Sequence, residues 1–210
     1  YEWQRNIALA VKETEQQLTK QHLVAQNFAN TYLKVANLDS NVALLTFHSA
    51  SPPHPITDNY SLNKPVSFDE TFDGLNAAER RKEAWAFMMA GGAVYDNLDW
   101  SFANDDMTGM GLNTSGKQKT GKAVWEQLEI LQQALSGFNF INATPLGKTY
   151  KMEGMDLYGL GIDGKDYMMY GLRSGKTSRA TGSCPLPGGK YRVTWMDPYN
   201  GRVTQEQVVR

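Results

Sequence analysis

The sequence predicts an α/β fold, a parallel sheet or half of a (β/α)8 TIM barrel, followed by a small antiparallel β module. Over residues 2–138, short apolar runs alternate with helical patterns, which is typical of parallel strands joined by helices. From residue 156 onward, short alternating runs are separated by turn residues. The first part has four strand patterns in about 145 residues, whereas a complete barrel takes about 250. The predicted domains are 1–145 and 146–210.

The first part opens with a predicted helix over residues 2–20, whose apolar face holds Trp3, Ile7, Val11 and Leu18. Two strands and a Pro-rich loop follow. The second strand is a continuous apolar run, as in strands that are buried on both faces. The ranges are residues 22–28 and 42–48 for the strands and 51–55 for the loop.

The next elements complete the alternation of strands and helices. Asn76 and Glu79 have the spacing of a capping box, which predicts that a helix begins beside them. A polar, Gly-containing loop of about 20 residues is predicted at 97–116, and a loop of that length in a compact domain is usually functional or mobile. The predicted elements are strands at 65–68 and 93–96, helices at 76–90 and 122–138, and a loop at 97–116.

The predicted β module begins beyond a boundary near residues 142–150. Its first two strands form a hairpin, because an Asp-Gly pair lies in the connection between them. A last pair of strands is joined by a turn that contains Pro and Gly. The ranges are strands at 157–161, 167–172, 191–195 and 202–209, with turns at 162–166 and 197–201.

Composition excludes several classes of function. The chain is 41% hydrophobic and 20% charged with a net charge of −1, so no basic field indicates a nucleic-acid or membrane partner. One cysteine, Cys184, excludes an internal disulfide and a Cys-rich zinc site. Five Trp and ten Tyr suit a sugar-binding cleft or a large core. No signal peptide is visible, and a start at Tyr1 rather than Met predicts a chain that is processed or cut from a longer protein.

Glu70 is the strongest catalytic candidate in the sequence. It follows the apolar strand at 65–68, just before the predicted helix at 76–90. A carboxylate at the carboxyl end of such a strand lies where a (β/α) barrel keeps its chemistry. The alternative is a carboxylate that forms a salt bridge or lies close to a helix.

Other polar and aromatic residues at strand ends are weaker candidates. His48 ends the second strand and is either a site residue or an ordinary core or loop histidine. Asn27 can bond a sugar hydroxyl or cap a turn, and Trp100 can stack on a sugar ring or pack under a loop. Tyr95 and Asp99 complete the candidate substrate-binding set, with Asp96 beside them.

No motif for a metal or cofactor stands out. The Gly-rich stretch at 111–117 has the spacing of a phosphate-binding loop, but Gln118 replaces the required Ser or Thr. The three histidines have no metal-ligand spacing, and the acidic residues of the 97–116 loop lack a calcium-binding pattern. The sequence therefore predicts neither a metal nor a cofactor.

Several motifs, in their order along the chain, resemble the C-terminal half of bacterial apiosidase-like glycoside hydrolases. These are (β/α)8 enzymes of the large retaining-hydrolase clan, and they carry a C-terminal β-sandwich that has been labelled collagen-binding. The resemblance covers nearly the whole chain and rests on no single motif. The motifs are 22–27 (HLVAQN), 46–48 (TFH), 68–71 (FDET), 83–95 (EAWAFMMAGGAVY), 98–102 (LDWSF) and 195–201 (WMDPYNG).

The resemblance implies a role for each strand end. It makes Glu70 the nucleophile at the end of barrel strand seven and His48 a group that hydrogen-bonds it from strand six. Trp100 matches a position that stacks on sugar. The acid/base glutamate belongs on strand four, which would precede Tyr1. The resemblance also implies a secreted or periplasmic location.

Three hypotheses remain open from the sequence. The first is a fragment or subunit of a retaining glycoside hydrolase that uses Glu70 as nucleophile on a poly- or oligosaccharide. The second is a carbohydrate-binding or surface-interaction protein without catalysis. In the third, the open strand edges of half a barrel pair with the missing N-terminal half or with a second copy of the chain.

Overall fold

The computed structural model describes residues 2–29, 34–50, 53–70, 75–96, 107–108, 121–147, 149–176 and 179–210. The described chain is α/β, with a parallel four-stranded sheet, helices, and antiparallel sheets in the C-terminal part. Its contacts divide it into two compact units, Tyr1–Phe72 with Gly92–Leu98, and Asp73–Gly91 with Asp99–Arg210. This division groups the helices differently from the predicted ranges 1–145 and 146–210, and the domain assignment stays a prediction.

The first unit contains the parallel sheet. Its strands lie side by side in sequence order, β1-β2-β3-β4, and every neighbouring pair is parallel. The four predicted strands are confirmed with shifted bounds. The elements are α1 (Glu2–Glu15), β1 (Ala25–Ala29), β2 (Leu44–His48), α2 (His54–Asn59), a 3₁₀ turn (Tyr60–Leu62), β3 (Val66–Glu70) and β4 (Val94–Tyr95).

Aromatic and aliphatic side chains from the middle strands form the core of this unit. Leu45, Phe47 and Phe68 are fully buried, and the Phe47 ring stacks on Phe28 with centroids 5.4 Å apart. The inner strand β2 therefore contributes Leu45 and Phe47 to this core. Only its last residue, His48, is an ionisable group.

The prediction that the apolar face of α1 packs into the core is wrong. Trp3 is 72% exposed and Leu18 is 54% exposed. The buried residues of the helix are Ala8 and Glu15, on a different stripe. The rotation of the helix follows its contact with β1, where the Gln26 amide donates to Gln4 Oε1 at 2.9 Å. Periodicity locates an apolar stripe but does not say what lies against it.

The Pro-rich stretch predicted as a loop over 51–55 is partly helical. Helix α2 begins at His54, directly after Pro53, and carries Pro55 in its first turn. Proline is tolerated there because the first backbone N–H groups of a helix have no partner within the helix. Asn59 at the end of α2 is fully buried and accepts a hydrogen bond from the Val35 backbone at 2.7 Å.

The second unit contains two helices and the antiparallel sheets. Five strands form one sheet, in which β7 pairs with β5, β6 and β8, while β10 and β11 form a separate ribbon. The elements are α3 (Ala77–Met89), α4 (Gly121–Ser136), a 3₁₀ turn (Phe140–Asn142), β5 (Thr144–Pro145), β6 (Lys151–Glu153), β7 (Met155–Ile162), β8 (Asp166–Arg173), β9 (Thr181–Ser183), β10 (Tyr191–Met196) and β11 (Val203–Val209).

Two local features of this unit agree with the sequence predictions, the capping box of α3 and the β7–β8 hairpin. The Asn76 side chain accepts from the Glu79 backbone at 3.1 Å, and the Glu79 carboxylate accepts from the Asn76 backbone at 2.9 Å. The capping box is confirmed. The β7–β8 hairpin is also confirmed, and Gly164 in its turn has a φ of +67°, which favours glycine.

Helix α3 joins the other parts of the second unit through two sets of contacts. The Trp85 ring stacks on Tyr170 of β8 with centroids 5.5 Å apart. Arg81 donates to Gln127 of α4 at 2.9 Å and lies over the Tyr199 ring at 5.2 Å. Trp85 is 3% exposed and is therefore a core residue. Trp195 of β10 is 47% exposed on the ribbon that β10 forms with β11.

A carboxylate–imidazole pair connects the end of α1 to the chain that leads into β1. The Glu15 side chain is only 10% exposed, and it accepts from the His22 backbone at 2.7 Å while facing the His22 ring. These hydrogen bonds to His22 hold the pKa of Glu15 below its ordinary value. A carboxyl group with a lowered pKa stabilises the fold fully when the pH is above its ordinary pKa. This stabilisation is lost as the pH falls through the lowered pKa.

We therefore expect Glu15→Gln to reduce the acid sensitivity of folding. Urea unfolding measured between about pH 7 and about pH 3.5 should show a smaller loss of unfolding free energy in this variant than in the parent chain. Glu13→Gln, an exposed change on the same helix, is the matched control and should keep the parental slope. An identical slope in all three proteins would show that the pair does not contribute.

No helix within the described ranges has both the length and the apolar character needed to span a membrane.

Candidate functional site

Polar side chains meet at the carboxyl edge of the parallel sheet. His48 is the last residue of β2, and Glu70 is the last residue of β3, the strand beside it. Asn27 lies in β1, and Asp96 directly follows β4. The carboxyl ends of parallel strands form the edge at which α/β proteins place ligands and catalytic groups. Three of the four strands therefore end at or directly before a polar group at this edge, whereas Asn27, predicted at the end of its strand, lies two residues before the end of β1.

A β-bulge at the end of β3 brings two carboxylates to one imidazole. Phe47 pairs with Phe68, but the next residue, His48, pairs with Glu70, so Asp69 is the extra residue. In a regular strand Asp69 and Glu70 would point to opposite faces. With the bulge, His48 Nδ1 lies 3.1 Å from Glu70 Oε2 and 3.6 Å from Asp69 Oδ1. Bulges that redirect a side chain are frequent next to active sites.

Asp69 is held from the other side by Asn27. The Asn27 side-chain amide donates to Asp69 Oδ2 at 2.6 Å. Burial raises the pKa of Asp69, and the nearby charge of Asp96 adds to this, while His48 and the hydrogen bond from Asn27 oppose it. A raised pKa means that the folded protein favours the protonated form of Asp69. The contribution of Asp69 to stability therefore falls as the pH rises from the ordinary pKa of a carboxyl group to the raised pKa.

The cluster is partly open to solvent. The side chains of His48, Asp69 and Glu70 are 36%, 30% and 27% exposed. Groups of this exposure are reachable by a ligand and still partly removed from water, which strengthens their electrostatic interactions. Ser49, directly after His48, has a φ of +51°, a strained value for a non-glycine residue, and its N–H donates to the Glu70 carbonyl at 2.9 Å.

The structure brings together some of the residues singled out in the sequence. Glu70 and His48 are in contact, and Asn27 reaches the cluster through Asp69. Tyr95 is half-buried, and its ring stacks on Phe68 with centroids 5.9 Å apart, so it supports the strand beneath the cluster. The candidates Asp99 and Trp100 lie outside the described residues.

Sequence reasoning missed Asp69. The residue directly precedes Glu70, and strand alternation assigns it to the opposite face, away from the site. The bulge that cancels this alternation has no signature in a single sequence, since no glycine marks it. The one available signal was the presence of two adjacent carboxylates at a strand end.

Within the parts of the chain that the structure describes, no group of three His, Cys, Asp or Glu side chains is arranged to hold a metal ion. The described edge presents three carboxylates, those of Asp69, Glu70 and Asp96, together with the His48 imidazole and the Asn27 amide. Such a set can provide a nucleophile or a proton acceptor and can hydrogen-bond hydroxyl groups. Comparisons with protein-family models and with curated proteins gave no match for this chain.

Proposed function

We propose that this chain provides the nucleophile half of a retaining glycoside hydrolase, with Glu70 as the nucleophile. The observation that carries the proposal is the position of Glu70 at the carboxyl end of β3, with His48 Nδ1 at 3.1 Å. A nucleophilic carboxylate must be held in one direction, and a hydrogen bond from an adjacent imidazole N–H can hold it.

Retaining hydrolysis needs a second carboxyl group about 5–5.5 Å from the nucleophile to act as acid and then as base. In this proposal that group comes from polypeptide outside these 210 residues. Glu70 attacks the anomeric carbon and forms an ester, while the leaving oxygen takes a proton from the second carboxyl group. Water then hydrolyses the ester, and the second group accepts its proton.

The fold that accompanies this proposal is half of a (β/α)8 barrel followed by a β-sandwich. Support comes from the strand order β1-β2-β3-β4 with every pair parallel, as in consecutive strands of a barrel. Among the described strands, β1 and β4 each pair on one side only. The exposed Trp3 and Ile7 on α1 add an apolar surface for a partner to cover. The partner is the complementary barrel half or a second copy of the chain.

The proposal is tested by following the anomeric configuration of the sugar that is released. A protein that contains this chain and its complementary half, mixed with aryl glycosides, should release sugar whose first-formed anomer has the configuration of the substrate. Proton NMR in the first minutes of the reaction distinguishes the two anomers. First-formed sugar of inverted configuration would exclude a covalent role for Glu70, and no hydrolysis of any glycoside by such a protein would exclude the enzyme class.

A second candidate function is carbohydrate binding without catalysis. The observation that favours it is the exposure of aromatic rings on the β10–β11 ribbon, where Trp195 is 47% exposed and Tyr199 is 61% exposed. A flat exposed ring can stack on a sugar. Glycan binding that persists in Glu70→Gln but is lost in Trp195→Ala would favour this function over hydrolysis at the sheet edge.

A further inference from the structure

The His48 imidazole faces two carboxylates but has only one proton on Nδ1 to offer them. Glu70 Oε2 is the nearer acceptor at 3.1 Å, and Asp69 Oδ1 lies at 3.6 Å. The ring nitrogen that carries the proton is set by the partner of the other nitrogen. Acceptors on the Nδ1 side therefore favour the tautomer that carries its proton on Nδ1.

Asp69 has a free acceptor in the right place. Its Oδ1 atom is fully buried and has no hydrogen-bond partner among the residues that the structure describes. Buried polar atoms of this kind are rare and require an explanation. Because the Asn27 amide holds Oδ2 at 2.6 Å, the carboxylate cannot turn Oδ1 away from the imidazole. The unpartnered atom is thus kept directed at His48.

We propose that Asp69 is a positioning residue, a second acceptor that holds the His48 Nδ1 proton while Glu70 is bonded to the sugar. The inference rests on the proposed function of Glu70. When the Glu70–carbon bond forms and the glycosidic bond breaks, the negative charge of Glu70 disappears into the ester. Hydrogen bonds to a charged group are about twice as strong as those to a neutral group. The Nδ1–H group of His48 then forms its hydrogen bond to the Asp69 carboxylate instead of to the esterified Glu70. The imidazole keeps its tautomer through both steps.

Groups from each neighbouring strand act on this proton. Asn27 from β1 anchors Asp69, Glu70 from β3 competes for the proton, and Asp96 after β4 adds negative charge near Asp69. Among the described residues, no Lys or Arg side chain is paired with either carboxylate. The arrangement therefore works by transfer of a hydrogen bond between two carboxylates.

Proton NMR of the His48 ring tests this without substrate. Glu70→Gln reproduces the uncharged, esterified side chain. We expect a downfield Nδ1 proton resonance in the parent chain, in Asp69→Asn and in Glu70→Gln, and its loss in the double variant. Variants at His22 and His54 assign the signal, and Asp156→Asn, an exposed change on β7, is the matched control that should leave it unchanged.

Three results would overturn the inference. Loss of the resonance in Glu70→Gln alone would make Glu70 the sole acceptor, and loss in Asp69→Asn alone would make Asp69 the first one. Persistence in the double variant would show that neither carboxylate holds the proton. If the double variant does not fold, Asn27→Ala combined with Glu70→Gln replaces it, and the resonance should weaken there. Because no substrate is used, the outcome is independent of whether Glu70 is a nucleophile.

Discussion

Glu70→Gln should lower kcat for glycoside hydrolysis by about 10⁴-fold or more, because an amide cannot form the covalent intermediate. The protein assayed must contain this chain together with the half that supplies the acid/base carboxyl group. Gln keeps the size and polarity of Glu, so the contact of 3.1 Å with His48 can persist while the nucleophile is removed. KM should change far less than kcat, since the lost interaction belongs to the transition state.

The matched control for this prediction is Glu153→Gln. Glu153 is an exposed residue of β6, in the other unit of the chain, and the same chemical change there should leave kcat within a factor of about two. Glu70→Ala with added azide provides a second readout. The small anion should attack from the vacated side and give a glycosyl azide of inverted configuration. A Glu70→Gln enzyme with parental kcat would contradict the nucleophile role outright.

Leu45→Ala should destabilise the parallel sheet by about 2–5 kcal/mol, a large part of the roughly 5–15 kcal/mol of a typical domain. Leu45 lies in the central strand β2 and is 0% exposed. Its removal leaves a cavity between strands that are fixed by their parallel pairing, so the surroundings cannot collapse fully into the space. The midpoint of urea unfolding should fall while the slope stays unchanged.

Leu23→Ala makes the same substitution on the same unit at an exposed position. Leu23 is 81% exposed, and its loss should change the unfolding free energy by no more than about 0.5 kcal/mol. The two variants remove the same atoms from a buried and from an exposed position. The difference between their unfolding free energies therefore reports the contribution of burial. Equal effects of the two changes would contradict the packing described for β2.

The sequence predicted the sheet well because its signals are local. The apolar run that ends at His48 and the strand that ends beside Glu70 define two neighbouring parallel strands, and residues at their carboxyl ends then have to be close. The capping box at Asn76 and the turn at Gly164 are likewise decided by residues a few positions apart. In each of these cases a short pattern of residues favours a single local backbone geometry.

Features that depend on what covers a surface were not predictable. The stripe of α1 that carries Trp3 reads as a core face, but hydrogen bonds of Gln4 to β1 turn it outward. The alternation around Trp195 predicts a strand but does not say whether this residue is covered, and Trp195 is 47% exposed. The role of Asp69 depends on a bulge, which shifts the register of one strand against its neighbour and leaves no mark in the residue pattern.

The most direct measurement of the central claim is the position of a covalent label. An activated 2-deoxy-2-fluoro glycoside, which forms the ester quickly and loses it slowly, should trap the intermediate in a protein that contains this chain. Fragmentation of the labelled peptide separates Asp69 from Glu70, its immediate neighbour. We predict that the sugar is found on Glu70, whereas a label on Asp69, or on a residue away from the edge formed by β1–β4, would contradict the account.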